Sequence, residues 1–159
     1  KLQWDSSLNM NELIDEFFGN YYKQAAEPMR ELFDLYRMQC VYIEETLNTT
    51  GGIYLNNVKS EFWPQSTLNA LLGKIDEAYA AIEPLKESDG ELYASLRDRI
   101  CLESLAYRYL YIELYSGRMT SGEALEEKNS FKEDCTALNV TKVKEGGDIS
   151  ELWASWGIA

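Results

Sequence analysis

The sequence predicts an all-α protein, an irregular antiparallel bundle of about six helices with one central apolar helix. Apolar residues recur every three or four positions along most of the chain, which is the period of amphipathic helices. Four segments begin with a capping residue three positions before a glutamate, namely Asn9, Ser88, Thr120 and Asp148. No segment shows sustained β alternation, and the run 53–55 is too short to count as a strand.

The first two helices follow from their caps and apolar stripes. Asn9 is the expected N-cap of the first helix, and Gly19 is its expected stop. Pro28 fits only the first turn of the second helix, which places the start of that helix within residues 24–27 and its end at 49–52. The stripe of the second helix comprises Met29, Leu32, Phe33, Tyr36, Cys40, Ile43 and Leu47.

The third helix is expected to open at Pro64 and Ser66 and to close near Glu83, because Pro84 cannot lie deep inside it. The fourth helix follows the Ser88 cap and stops at Gly117. It is apolar nearly all round, so we expect neighbouring helices to cover it.

Thr120 caps a fifth helix marked by Ala124, Phe131, Cys135 and Leu138. Asp148 caps a short last helix that carries Leu152, Trp153 and Trp156. No repeated motif divides the chain, so we expect one all-α domain over residues 1–159. The sequence begins with Lys1 rather than methionine, which predicts a piece of a longer, multidomain protein.

The composition excludes several classes of function. The net charge of −12 disfavours nucleic acids and anionic membranes as partners, because both are bound through an excess of Lys and Arg. The chain contains no histidine, which removes Ser-His-Asp and Cys-His nucleophile systems and His-ligated metal sites. No run reaches the roughly 20 apolar residues of a membrane-spanning helix. We therefore predict no catalytic residue, cofactor or metal in this chain.

Three cysteines, Cys40, Cys101 and Cys135, fall on apolar helix stripes and are expected to be free thiols that pack as small hydrophobes. Glu103 and Glu113 lie within the apolar fourth helix, so we expect them to form internal ion pairs or hydrogen bonds. The adjacent acids elsewhere are expected to be solvated, because neighbours on a helix do not face each other. These pairs are Asp15-Glu16, Glu44-Glu45, Asp76-Glu77 and Glu126-Glu127.

Two groups of aromatic residues are candidates for binding. Tyr54, Phe62 and Trp63 lie in the predicted loop, where aromatic rings suit stacking on a sugar. Trp153 and Trp156 lie on the last helix, where they either complete the core or present a patch to a partner.

One stretch resembles a known family. The segments 2–5 and 11–22, the latter reading NELIDEFFGNYY, match a pattern of the form "W(D/N)P…LIDEFFENYYG". The match continues through Ala25-Ala26, Pro28-Met29-Arg30, Phe33-Asp34-Leu35, Glu61-Phe62-Trp63-Pro64, Leu68-Asn69-Ala70-Leu71-Leu72, Glu77-Ala78 and the helix from Arg97 to Leu114. This pattern is similar to the helical C-terminal part of glycoside-hydrolase-like proteins of domain-of-unknown-function family 4838. The chain departs from it at Ser6, where proline is expected, and at Lys23, where glycine is expected.

The resemblance implies a secreted, periplasmic or cell-surface carbohydrate-active protein of gut bacteria, similar in architecture to alpha-glucuronidases. In such proteins a catalytic barrel precedes the helical region, so the catalytic acids would lie upstream of Lys1. Three hypotheses stay open. In the first, the chain is an accessory domain that packs on that upstream domain or forms a homodimer. In the second, it is an oligosaccharide-binding module that uses Tyr54, Phe62 and Trp63. In the third, it is an unrelated helical interaction domain that binds through Trp153 and Trp156.

Overall fold

The computed structural model describes residues 9–46, 58–144 and 147–158. Of these residues, 82% are helical, with about five principal helices and antiparallel packing of neighbours. This confirms the all-α class. The helices are α1 (Met10–Tyr22), α2 (Ala26–Glu45), α3 (Gln65–Ile82), α4 (Leu85–Ser88), α5 (Gly90–Tyr115), α6 (Ser121–Ala137) and α7 (Ile149–Trp156).

Three of the four predicted N-caps are confirmed. The Asn9 side chain accepts a hydrogen bond from the backbone N–H of Asn11 at 2.9 Å. At the start of α6, Thr120 and Glu123 form a reciprocal capping box. The Asp148 carboxylate accepts the backbone N–H of Ser150 at 2.8 Å and so caps α7. Each cap satisfies a backbone N–H that has no partner within its helix.

The fourth predicted cap, Ser88, is wrong by one residue. Ser88 ends the one-turn helix α4, and its hydroxyl donates to the carbonyl of Pro84. Asp89 takes the capping position instead, because its carboxylate accepts the N–H of Leu92 at 3.0 Å. Helix α5 therefore begins at Gly90.

The helix ends match the predictions made from the prolines, but not the prediction made from Gly19. Pro28 lies in the first turn of α2, and α3 ends at Ile82, before Pro84, as predicted. The predicted stop at Gly19 is wrong, because α1 continues to Tyr22. A glycine inside a helix costs about 1 kcal/mol relative to alanine, which packing of the flanking residues offsets here. The predicted end of α2 at 49–52 lies outside the described residues.

A two-stranded antiparallel sheet precedes α7, and the sequence did not predict it. Strand β1 (Lys142–Lys144) pairs antiparallel with β2 (Gly147–Asp148), and Lys142 faces Asp148 in the register. Strands of three and two residues are too short to show an alternating pattern.

The chain divides into two compact units. The single domain over residues 1–159 stays a prediction. Unit 1 comprises Lys1–Thr49 and Gly73–Ile100, and unit 2 comprises Thr50–Leu72 and Cys101–Ala159. The core of unit 1 contains Phe18, Tyr22, Ala25, Met29, Leu32, Ile75, Ala78, Ile82, Leu96 and Ile100. One core cluster of unit 2 contains Leu105, Ile112, Phe131, Cys135, Leu152, Trp153 and Ile158.

Helix α5 supplies buried residues to both units but is not covered on every side. Leu96 and Ile100 are buried in unit 1, and Leu105 and Ile112 are buried in unit 2. By contrast, the side chain of Leu102 is 53% exposed. The expected cover of this helix by its neighbours is therefore incomplete on one face.

Among the described residues, no helix combines the length and the apolar character that crossing a bilayer needs.

Candidate functional site

The loop aromatics predicted to contact sugar lie inside unit 2. Phe62 is 1% exposed and Trp63 is 6% exposed. The Tyr115 hydroxyl donates to the backbone carbonyl of Trp63 at 2.8 Å, which anchors this segment to α5. Stacking on a sugar needs an open ring face, which these two buried rings do not present. Tyr54 lies outside the described residues.

The two tryptophans of α7 mainly complete the core of unit 2. Trp153 is buried and Trp156 is half-buried, with both rings in edge contact with Phe131 at centroid distances of 6.1 and 5.3 Å. The indole N–H of Trp156 donates to the Glu113 carboxylate at 2.5 Å. These contacts assign both rings to packing rather than to an open surface patch.

Glu103 and Glu113 both form hydrogen bonds with other side chains, as predicted. Glu103 accepts a hydrogen bond from the Tyr107 hydroxyl at 3.2 Å, and Glu113 accepts from Trp156 rather than from Arg108. Both carboxylates belong to exposed residues, so neither is an isolated buried charge.

Arg108 instead connects α5 to α6. Its guanidinium donates to Glu127 at 3.0 Å, to Asp134 at 2.5 Å and to Ser130 at 3.1 Å, and it lies 5.6 Å from the centroid of the Phe131 ring. Burial disfavours the charged guanidinium, but the hydrogen bonds with Asp134 and Glu127 outweigh burial and raise the pKa of Arg108. The group is therefore a structural cation.

The predicted pairs of adjacent acids are solvated, except that Glu127 is half-buried beside Arg108. No cluster of three or more metal-ligating side chains is found within the described ranges.

Unit 1 carries two exposed apolar surfaces that the sequence analysis did not identify. The first, the α1 patch, comprises Met10, Phe17 and Tyr21, which helical spacing places on one face. The second, the α2 patch, comprises Met38, Val41 and Tyr42, which are 60%, 44% and 45% exposed.

The α2 patch lies on the side of its helix opposite the buried Met29 and Leu32, as the 3.6-residue period requires. In the second half of α2, residues 34–45, no side chain is buried. A second apolar stripe on one helix is the sequence signal that would have found this patch.

Contacts with neighbouring residues hold the α1 patch in place. Arg30 Nε donates to Asp15 at 2.8 Å and so ties α2 to α1. Arg99 donates to the backbone carbonyl of Tyr21, and its guanidinium lies 4.4 Å from the centroid of the Tyr21 ring. The rings of Phe17 and Tyr21 are stacked at 5.3 Å. These contacts hold the two exposed rings in one arrangement.

A third cation joins α3 to α2 within unit 1. Lys74 Nζ lies 2.7 Å from a carboxylate oxygen of Glu31 and 2.8 Å from one of Glu77. The hydrogen bonds with these two carboxylates raise the pKa of Lys74 to about 12.

Comparison of the chain with protein-family models, with curated proteins and with solved structures finds no match.

Proposed function

We propose that this chain is a non-catalytic helical accessory domain of a secreted carbohydrate-active, glycoside-hydrolase-like protein, and that it packs against an upstream domain or against a second copy of itself. The observation that carries the proposal is the pair of exposed apolar patches on α1 and α2. Contiguous exposed apolar surface of this kind marks interaction sites in folded proteins.

The second half of α2 gives the strongest support. It extends through residues 34–45 without a buried side chain, yet it carries Met38, Val41 and Tyr42. A short helix in water is marginal unless an apolar face packs on something. A partner that covers the α2 patch would supply that packing.

The backbone at Lys23 supports the family resemblance on which the parent's class depends. Lys23 has φ 51° and ψ −115°, a conformation that glycine adopts readily and other residues rarely do. The family pattern has glycine at this position. Lys23 therefore has a glycine-like backbone at the position where the family pattern has glycine.

The two alternative functions lose the residues on which they depended. The oligosaccharide-binding module relied on Phe62 and Trp63, which are buried, and on Tyr54, which lies outside the described residues. The helical interaction domain relied on Trp153 and Trp156, which pack on Phe131. The accessory role is favoured because its surface is exposed.

Hydrogen exchange of the amides of α1 and α2 tests the proposal. The isolated chain is compared with a longer protein that carries the proposed upstream domain, and the oligomeric state of both is measured by sedimentation. We expect slower exchange in the α1 and α2 patches in the longer protein, or a concentration-dependent dimer of the isolated chain. Equal exchange in both proteins together with a monomeric isolated chain would remove the proposal.

A matched pair of variants locates the surface. Tyr42→Lys places a charge in the α2 patch, whereas Leu125→Lys places one at a comparably exposed apolar position of α6. We expect Tyr42→Lys to abolish the protection or the dimer and Leu125→Lys to leave both unchanged. Glycosidase turnover by the isolated chain, lost on mutation of one carboxylate, would contradict the non-catalytic assignment.

A further inference from the structure

Unit 2 contains an apolar groove that plays no part in the proposed accessory role. It has a volume of about 330 Å³ and is bounded by α5, α6, β1 and α7. Its floor belongs to the core cluster and includes Leu105, Phe131 and Leu152. Ala106, Lys142 and Val143, which also line it, are exposed residues. This volume is at the small end of the range for ligand pockets, which is 300–1,000 Å³.

The lining of the groove carries little charge. Lys142 is the charged residue among those that line it. The other cations packed near this core are engaged, since Arg108 binds carboxylates of α6 and Lys132 donates to the carbonyl of Ile158 at 2.8 Å. No hydrogen bond from the Lys142 ammonium is found within the described part of the chain, although Asp148 lies near enough to interact with it electrostatically.

Away from Lys142, the groove favours an uncharged part of a ligand. Cys135 lines it, and burial raises the pKa of this thiol to about 11, so the thiol is neutral at physiological pH. Glu113 follows Tyr109, a lining residue, by one turn of α5 and would repel an anion placed beside it. Lys142 is therefore the lining residue that attracts an anionic group, although the nearby Asp148 carboxylate weakens this attraction.

We propose that this groove binds a small amphipathic carboxylate, with its apolar chain or ring against Leu105, Phe131 and Leu152 and its carboxylate beside Lys142. The inference does not depend on the accessory role. A medium-chain fatty acid has the size and charge distribution that the groove accommodates.

The test is a titration of the folded 159-residue chain with decanoate, followed by two-dimensional amide NMR, with decanol as the uncharged analogue. We expect decanoate to shift the amide signals of the groove residues and to bind more tightly than decanol. Lys142→Gln should weaken decanoate binding roughly two- to fivefold, the range of an exposed ion pair, and leave decanol binding unchanged. Lys86→Gln, at an exposed position of α4 in unit 1, is the matched control.

Ala106→Trp fills the mouth of the groove and should abolish binding of both probes, whereas Ala94→Trp, at another exposed position of α5, should not. Circular dichroism checks that both variants fold. Absence of decanoate binding, or equal binding by the Ala106→Trp variant, overturns the site. Loss of decanol binding equal to that of decanoate in Lys142→Gln overturns the carboxylate assignment. A dimer of the wild-type chain that Ala106→Trp abolishes would assign the groove to a second copy.

Discussion

Replacing Lys23 by glycine should stabilise the protein. With φ 51° and ψ −115°, the Lys23 backbone is in a region where the β-carbon of an L-residue crowds the neighbouring peptide. Such strain costs about 1–3 kcal/mol. Glycine removes this cost but loses about 0.5–1 kcal/mol more conformational entropy on folding. Because Lys23 is exposed, little packing is lost, and the net gain in the free energy of unfolding should lie between about 0 and 2.5 kcal/mol, centred near 1 kcal/mol.

The assay is urea unfolding followed by circular dichroism, with the thermal midpoint as a second readout. A gain of 1 kcal/mol should raise the midpoint by about 2–4 °C for a chain of this length. Lys23→Ala is the discriminating control, because alanine keeps the β-carbon and should gain little. Lys86→Gly, within helix α4, should instead destabilise by about 1 kcal/mol. If Lys23→Gly is no more stable than Lys23→Ala, the strain argument is refuted.

Three further predictions concern Arg108, two capping carboxylates and the free cysteines. Arg108→Met should lower the free energy of unfolding by about 2–4 kcal/mol in urea titrations, because it leaves two carboxylates of α6 without their half-buried cation. Hydrogen bonds from the Thr120 hydroxyl and the Ser150 hydroxyl, with backbone N–H groups, hold the pKa values of Glu123 and Asp148 below their usual ranges. The unfolded chain therefore binds more protons in acid than the folded chain does, and the free energy of unfolding should fall as the pH drops through these lowered pKa values. Glu123→Gln and Asp148→Asn should flatten that pH dependence, which unfolding measurements between about pH 5 and 2 would show. Thiol labelling with a chromogenic disulfide at pH 8 should modify the half-buried Cys40 first, and the buried Cys135, whose pKa burial raises to about 11, should react only as the chain unfolds.

The local part of the fold was predictable, because its causes lie within a few residues of each other. Asn9, Thr120 and Asp148 were identified as caps from residue type and spacing alone. Ser88 was not separable from Asp89, since both residues can cap and the choice depends on where α4 ends.

The candidate sites were less predictable, because exposure is a property of contacts far apart in sequence. Trp63 looked like an exposed loop residue, yet its burial accompanies contact with Tyr115, 52 positions away. Conversely, Tyr42 lies within a regular amphipathic helix, but its side of α2 is left open. Residue type and helical period predict which residues share one face of a helix. They do not predict which face a neighbouring helix covers.

Helix α2 carries both buried and exposed apolar residues, and this difference in exposure gives a last prediction. Leu32 is 1% exposed and Met38 is 60% exposed, although both are large apolar residues of the same helix. Leu32→Ala should lower the free energy of unfolding of the isolated chain by about 2–5 kcal/mol, because it removes core contacts and leaves a cavity. Met38→Ala should change it by less than about 0.5 kcal/mol, since no buried contact is lost. If Met38→Ala were as costly as Leu32→Ala in urea unfolding, Met38 would belong to the folded core, and the α2 patch would no longer be available to a partner.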